Sequence, residues 1–329
     1  MKICIYGAGA VGGFLAYRLA EAGLDVSIIA RGAQLDAIRH RGLTLETGSG
    51  RSSRRIPASA DAGDLGSQDY VFLASKQHAI PAIAPRLAPL LKDDTAVVPA
   101  INGVPWWFFN GFGGAFAGAA LASVDPDGAM ARHVSPERVI GCVVHLSSSN
   151  PAPGVIWHGF GERFILGEPS RQLTPRLQRL AAAMSAAGLK AEVSREIQRD
   201  IWVKLWGNIT FNPVSALTRA TSLKLINDPL MIDLFKAMMA EVMTVGRAIG
   251  IEIGMTPEAR IAIARELGDF KTSMLQDLEA RRPLEIDGLI GVVVEIADRL
   301  AIPVPQTKAV LALVRSMAIQ AGLYNKPGE

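Results

Sequence analysis

The chain has 329 residues, 49% of them hydrophobic and 20% charged, with a formal net charge of +3. That length supports two domains with filled cores, and so small a charge, with no basic patch interleaved by aromatics, argues against a nucleic-acid ligand. Cys4 and Cys142 both lie in apolar runs and read as buried thiols of a reducing compartment, neither a disulfide framework nor a metal site; no apolar run reaches the length of a membrane span, so a soluble, cytoplasmic protein is expected.

The chain opens on Ile3-Cys4-Ile5-Tyr6, which reads as a short buried strand, breaks at Gly7 and resumes as an amphipathic helix over about Ala10 to Ala22. The turn carries G-x-G-x-x-G at Gly7, Gly9 and Gly12. The first glycine permits the tight turn, the second lets backbone approach a pyrophosphate, and the third lets the helix pack close to the strand. The helix start presents N–H groups and a partial positive charge to the same anion. A second strand, Asp25 to Ala30, completes one βαβ unit, which makes Gly7, Ala8, Gly9, Ala10, Val11 and Gly12 the cofactor-binding stretch. A secretory leader is the competing explanation of an apolar start. It fits poorly, because the run has no separate cleavage region and its helix carries Arg18 and Glu21.

NAD-specific folds place an Asp or Glu near the end of the second strand, where this chain reads Ile28-Ile29-Ala30-Arg31-Gly32. A guanidinium pairs bidentately with a 2′-phosphate and finds no partner on a bare ribose. Arg31 therefore points to NADP(H).

Next, 42–58 alternates weakly and predicts a hairpin or edge strands, with Arg51, Arg54 and Arg55 on a solvated face. Tyr70 to Ala74 is continuously apolar, as a central parallel strand should be. It ends at Ser75-Lys76-Gln77-His78, with a helix expected over about Ala79 to Leu91, and a strand over Ala96 to Ala100 ends at Ile101-Asn102-Gly103. Ligands of open α/β sheets bind beyond the carboxyl ends of the strands, so Lys76 and Asn102 are candidates for the cofactor and substrate cleft. A surface lysine and an Asn-Gly turn account for them equally well. Within 104–132, Trp106-Trp107-Phe108-Phe109 could form a lid, a subunit contact or a small satellite core, and packing is the favoured reading. Strands over Val139–Leu146, Val155–His158 and Phe164–Leu166 are expected to complete a mixed sheet; a helix over Pro175–Ala187 and a strand at Ala191–Val193 lead to a junction near Glu196.

From Asp200 onward the periodicity is helical alone, predicting helices over 200–220, 229–250, 257–267, 285–300 and 306–322. The fold class is therefore α/β: an N-terminal Rossmann-type dinucleotide-binding domain, 1–195, and an all-helical C-terminal domain, 196–329, with the active site expected in the cleft between them. In the helix opening the second domain, Lys204, Asn208 and Asn212 recur at i, i+4 and i+8 among Trp202, Leu205, Trp206, Ile209 and Phe211. They share one face, and a polar row on a buried helix must find partners in protein, water or ligand. A stripe bonded to neighbouring loops satisfies the same requirement. Further on, Ser273 and Glu285 adjoin apolar residues, and Glu285 is expected to start a helix, where a carboxylate is favoured.

Together these blocks resemble the ketopantoate reductase (2-dehydropantoate 2-reductase) family, within the 6-phosphogluconate-dehydrogenase-like group. The resemblance runs nearly the full length: G-x-G-x-x-G at Gly7 to Gly12, Arg31, Lys76, Asn102-Gly103, W-x-K-L-x-x-N-x-x-x-N-P from Trp202 to Pro213, S-M-L-Q-D from Ser273 to Asp277, and E-I-D from Glu285 to Asp287. It implies NADPH-dependent reduction of a small 2-oxo acid, ketopantoate to pantoate in pantothenate biosynthesis. Lys204 would be the general acid and Glu285 would hold a substrate hydroxyl and orient it. Asn208, Asn212 and Ser273 would hold the substrate's carboxylate and hydroxyl groups, and Asn102 would sit beside nicotinamide and substrate. Homodimers occur in the family, and exposed aromatics would suit one. The chain departs from the family in the aromatic insertion after Gly103 and in Phe270, where an asparagine often stands three residues before the serine. Alternatives are a reductase of another 2-oxo acid and a non-catalytic NADPH sensor using the aromatic loop as its partner surface.

Overall fold

The computed structural model describes residues 1–324. They form two compact units, Met1–Ala120 with Gly128–Gln198, and Leu121–Asp127 with the chain from Arg199 onward. The boundary thus lies three residues beyond the one read from sequence, and a short strap crosses it. The strap joins the second unit because the backbone N–H groups of Ala122 and Ser123 donate to Glu295 Oε1 and Oε2 at 2.9 and 2.8 Å.

In chain order the first unit contains β1 (Lys2–Tyr6), α1 (Ala10–Glu21), β2 (Asp25–Ile29), α2 (Gly32–Arg41), β3 (Leu43–Thr47), β4 (Gly50–Arg54), β5 (Ala58–Ser59), β6 (Tyr70–Leu73), α3 (Ile80–Ile83), β7 (Ala96–Pro99), α4 (Ala129–His133), β8 (Gly141–Ala152), β9 (Val155–Gly167), α5 (Pro175–Ala186) and β10 (Lys190–Val193). One sheet, in the order β5-β2-β1-β6-β7, is parallel throughout. Ile3, Cys4, Ile5, Val71, Phe72 and Leu73 are fully buried in it, which is why its central strands read as unbroken apolar runs. Register pairs Tyr6 with both Ile29 and Leu73, and Leu73 with Pro99, so β1, β2, β6 and β7 end side by side.

The later strands do not extend this sheet into a mixed one. They build a second sheet, β10-β9-β3-β4, with β8 antiparallel to β9. Two of the expected strands are one, because β9 continues through Gly159 and Gly161. Gly161 has φ +81, and a Cβ there would stand 2.8 Å from the His145 carbonyl oxygen, so glycine lets the strand bend close to β8 and carry on. The helix expected over 79–91 shrinks to α3 between short 3₁₀ turns. Pro81, Pro85 and Pro89 remove a backbone donor at each successive turn.

The aromatic run is interior. Trp107, Phe108 and Phe109 are essentially unexposed, and Phe109 packs edge-on to Phe108 and Phe112 with centroids 5.2 and 5.6 Å away. A Cβ on Gly141 would meet the Trp107 ring at 2.6 Å. This is a satellite core, so these aromatics offer no exposed surface to a second subunit or other partner.

The second unit is helical: α6 (Ile197–Thr218, begun at the end of the first unit), α7 (Ser222–Ile226), α8 (Pro229–Ala248), α9 (Pro257–Glu266), α10 (Ser273–Glu279), a single π turn (Asp287–Gly291) running into α11 (Val292–Arg299), and α12 (Pro305–Gln320). Asp228, Thr256 and Thr272 cap α8, α9 and α10 by accepting from first-turn N–H groups. The short helices α7 and α10 were not expected. Glu285 does not start a helix, since the π turn opens two residues later at Asp287.

Candidate active site

In the first unit the glycine pattern is used as its chemistry suggests. Gly7 adopts φ +108, and a Cβ there would lie 2.6 Å from Ser75 Oγ. At Gly12 a Cβ would collide with the Gly7 carbonyl oxygen and reach Ala74 Cβ at 2.8 Å, so α1 can approach β1 and β6 only because that side chain is missing. Gly9 is different: a Cβ there would meet nothing within 4 Å. No side chain caps α1 at Gly9 and no acid occupies its first turn, which leaves the helix dipole available to an anion.

These residues form one wall of a cavity of about 350 Å³ lined by Tyr6, Gly7, Ala8, Gly9, Arg31 and Gln34, with Ser75 and Asn150 among its other walls. Arg31 is the exposed N-cap residue of α2, whose first turn also lacks an acid. Burial holds the Tyr6 hydroxyl above its usual pKa, opposed by the charges of Arg86 and Arg31. A dinucleotide fits this set: a bare glycine turn under a helix N-terminus for the pyrophosphate, and a guanidinium at the neighbouring strand end for a 2′-phosphate. Lys76 and Asn102 are half-buried where the chain leaves β6 and β7, at the same carboxyl edge, but neither lines this cavity.

In the second unit Lys204, Asn208 and Asn212 lie along α6, with Lys204 and Asn208 half-buried and Asn212 only 5% exposed. The rest of that stretch is core: Trp202, Trp206 and Ile209 are fully buried, and Trp206 Nε1 donates to the Met239 carbonyl oxygen at 3.0 Å, fixing the helix against α8. Asn212 Nδ2 donates to Ser273 Oγ at 3.4 Å. That contact brings the polar row to the start of α10, where Thr272 is the N-cap and Ser273 is exposed. Glu285 is buried in the segment before the π turn, and π turns recur at functional positions. Phe270 is half-buried, its backbone N–H donating to Ser222 Oγ at 2.9 Å and its carbonyl accepting from Ser222 N at 3.0 Å. Among the described residues no group of three or more His, Cys, Asp or Glu could hold a metal, and no helix is long and apolar enough to cross a membrane.

Sequence reading missed Gln34, Ser75 and Asn150. Gln34 carries a faint signal, one helical turn past Arg31. Asn150 carries none, because its place depends on β8 folding back along β9, where its Nδ2 donates to the Ala152 and Val155 carbonyls at 2.9 and 2.6 Å.

Comparison with known proteins identifies the family. Family models described as "Ketopantoate reductase PanE/ApbA" and its C-terminal part match residues 3–171 and 196–318. A 2-dehydropantoate 2-reductase of Mesorhizobium japonicum is 47% identical over 99% of this chain and 100% of its own length. A crystal structure from Ralstonia solanacearum MolK2, provisionally assigned as a ketopantoate reductase, superposes with TM-score 0.95 at 48% identity, covering 98% of this chain and 99% of that one. The 2-dehydropantoate 2-reductase of Geobacter metallireducens GS-15 does so with TM-score 0.84 at 26% identity, covering 96% and 100%. With both halves matched and such relatives spanning its whole length, the chain belongs to the ketopantoate reductase family of oxidoreductases.

Proposed function

We propose that this protein reduces ketopantoate to pantoate with NADPH, the pantoate-forming step of pantothenate biosynthesis. The observation that carries this reading is the row of Lys204, Asn208 and Asn212 on an otherwise buried helix, with Asn212 in reach of Ser273. NADPH supplies the hydride. Arg31 pairs with the 2′-phosphate, the Gly7–Gly12 turn receives the pyrophosphate, and Lys76 and Asn102 contact the cofactor, Asn102 the substrate as well. The Lys204 ammonium donates its proton to the carbonyl oxygen as negative charge develops there, which stabilises the transition state more than the ground state. Asn208, Asn212 and Ser273 hold the carboxylate and hydroxyl, and Glu285 accepts from the substrate hydroxyl and orients Lys204.

Phe270 favours a second reading within the same chemistry. An aromatic ring there, its backbone fixed by Ser222, suits a 2-oxo acid with a more apolar tail. The reading extends to a homodimer in the cytoplasm, supported by exposed Leu230 and Leu313 and by two buried free thiols; light scattering of the purified protein tests the assembly.

The deciding experiment is NADPH consumption with ketopantoate beside a panel of other 2-oxo acids. Efficient turnover of ketopantoate supports the first reading. A much better apolar substrate shifts the assignment to the second, and tight NADPH binding without turnover of any 2-oxo acid overturns both.

A further inference from the structure

A cation outside every motif discussed above stands beside the Lys204 row. Arg260 lies in the first half of α9, and its guanidinium packs onto α6 at Gly207. A Cβ on Gly207 would stand 2.8 Å from Arg260 Nε and 2.9 Å from Cζ. The side chain therefore occupies the space that any residue but glycine would fill. Position 207 is i+3 from Lys204 and adjoins Asn208, so the guanidinium sits at the flank of the polar row.

Among the described residues the Arg260 guanidinium has no carboxylate, carbonyl or aromatic partner. Its neighbour on the same helix shows what a structural arginine looks like here. Arg265 donates to Asn227 Oδ1 at 2.8 Å and to the Ile226 carbonyl at 2.9 Å. Arg260 is half-buried, and its nitrogens are not among the fully enclosed polar atoms, so an anion can reach them. Desolvation, with no compensating charge, holds its pKa below the usual arginine value. A guanidinium that has lost water and gained no protein partner is a standing cost to the fold, and an anionic ligand removes it.

We propose that Arg260 is a substrate-binding residue that anchors the carboxylate of the 2-oxo acid from the Gly207 notch of α6. The proposal rests on the reductase reading given above. In a 2-oxo acid the carboxylate carbon is bonded directly to the carbonyl carbon, so the anion anchor and the proton donor must be near neighbours. Positions 204 and 207, about 5–6 Å apart between Cβ atoms on one helix surface, satisfy that requirement. A planar guanidinium also presents two parallel N–H donors, which fixes the carboxylate plane and with it the direction of the carbonyl oxygen. Such an anchor selects acids over their uncharged analogues.

The test compares the best 2-oxo acid with its methyl ester and amide in wild type, Arg260→Ala, Arg260→Lys and Gly207→Ala, together with NADPH affinity. Arg260→Ala should raise KM for the acid by roughly 10- to 100-fold. The ester and the NADPH dissociation constant should stay within about twofold, so the acid-to-ester preference collapses. Arg260→Lys should restore part of that preference, and Gly207→Ala, which evicts the guanidinium while keeping the charge in the chain, should mimic its loss. An unchanged acid-to-ester ratio in Arg260→Ala overturns the proposal, as does an equal loss for acid and ester, the mark of a structural role. Weakened NADPH with an unchanged substrate ratio would assign the guanidinium to a cofactor phosphate and also overturn it. If the wild type turns over no 2-oxo acid, the reductase reading has failed, and calorimetry with pantoate and the NADP(H)-bound protein then decides: binding lost in Arg260→Ala keeps the anchor, and equal binding removes it.

Discussion

The side-chain amide of Gln34 donates from Nε2 to the carbonyl oxygen of Ala8 at 2.6 Å, while its Oε1 accepts from the backbone N–H of Gly154 at 2.9 Å. One residue thus holds the glycine-rich turn to the first turn of α2 and to the tip of the β8–β9 hairpin. The hairpin tip has further side-chain support, since Asn150 Nδ2 donates to the Ala152 and Val155 carbonyls and Arg41 donates to the Pro153 carbonyl at 3.3 Å. Gln34→Ala is expected to weaken NADPH about tenfold by loosening the turn, with kcat little changed. A fluorescence titration that returns the wild-type dissociation constant would show that the turn holds its shape unaided.

Arg31 begins α2 without a carboxylate near it in the first turn. Arg31→Ala should cost NADPH on the order of 100-fold in affinity and NADH no more than about twofold, because only the former carries the phosphate. Equal losses for the two cofactors would refute the 2′-phosphate assignment.

Lys204 lies on the α6 row one turn from Asn208. Lys204→Ala should lower kcat by roughly 10²- to 10⁴-fold, the usual contribution of a positioned acid, while NADPH binding changes little. Stopped-flow measurement of hydride transfer is the direct check, and a wild-type rate would end the proposed role.

Cys4 is fully buried in β1, and burial pushes its thiol from 9.0 up to about 12. The folded pKa is above the unfolded one, so the protonated thiol's contribution to stability is fully present below pH 9 and is lost as pH rises toward 12. Cys4→Ala is therefore expected to flatten the alkaline limb of the unfolding curve. A disulfide reagent at pH near 8 should leave Cys4 untouched in the native protein and modify it in denaturant. Rapid labelling without denaturant would contradict the burial.

Much of this was legible in the residues. The βαβ start could be read because its signals are local: four apolar residues, three glycines at fixed offsets and an arginine at the next strand end. The Lys204–Asn208–Asn212 row could be read because helical periodicity alone puts the three on one face. What escaped depends on distant pairing. The second sheet needs β3 beside β9, more than a hundred residues away, and a strand that passes through two glycines looks like two strands. The notch that receives Arg260 needs α9 to lie on α6, and the sequence shows only an ordinary glycine and an ordinary helix arginine. The sequence puts a helix start at Glu285 rather than at Asp287 because a π turn has no pattern distinct from that of the α-helix it enters.

The strap Leu121–Asp127 has a consequence for how this polypeptide can be divided. Because the chain passes from one unit to the other at 120/121, 127/128 and 198/199, no single cut separates it into two self-sufficient pieces. A fragment starting at Arg199 would lack the Ala122 and Ser123 donors, leaving Glu295 Oε1 to Arg299 alone and Oε2 without the Ser123 donors. A fragment ending at Gln198 would carry the strap with nothing to clasp. Neither half can be shuffled into another protein by simple end-to-end fusion, so the helical unit can be inherited intact only when a loop of its neighbour travels with it.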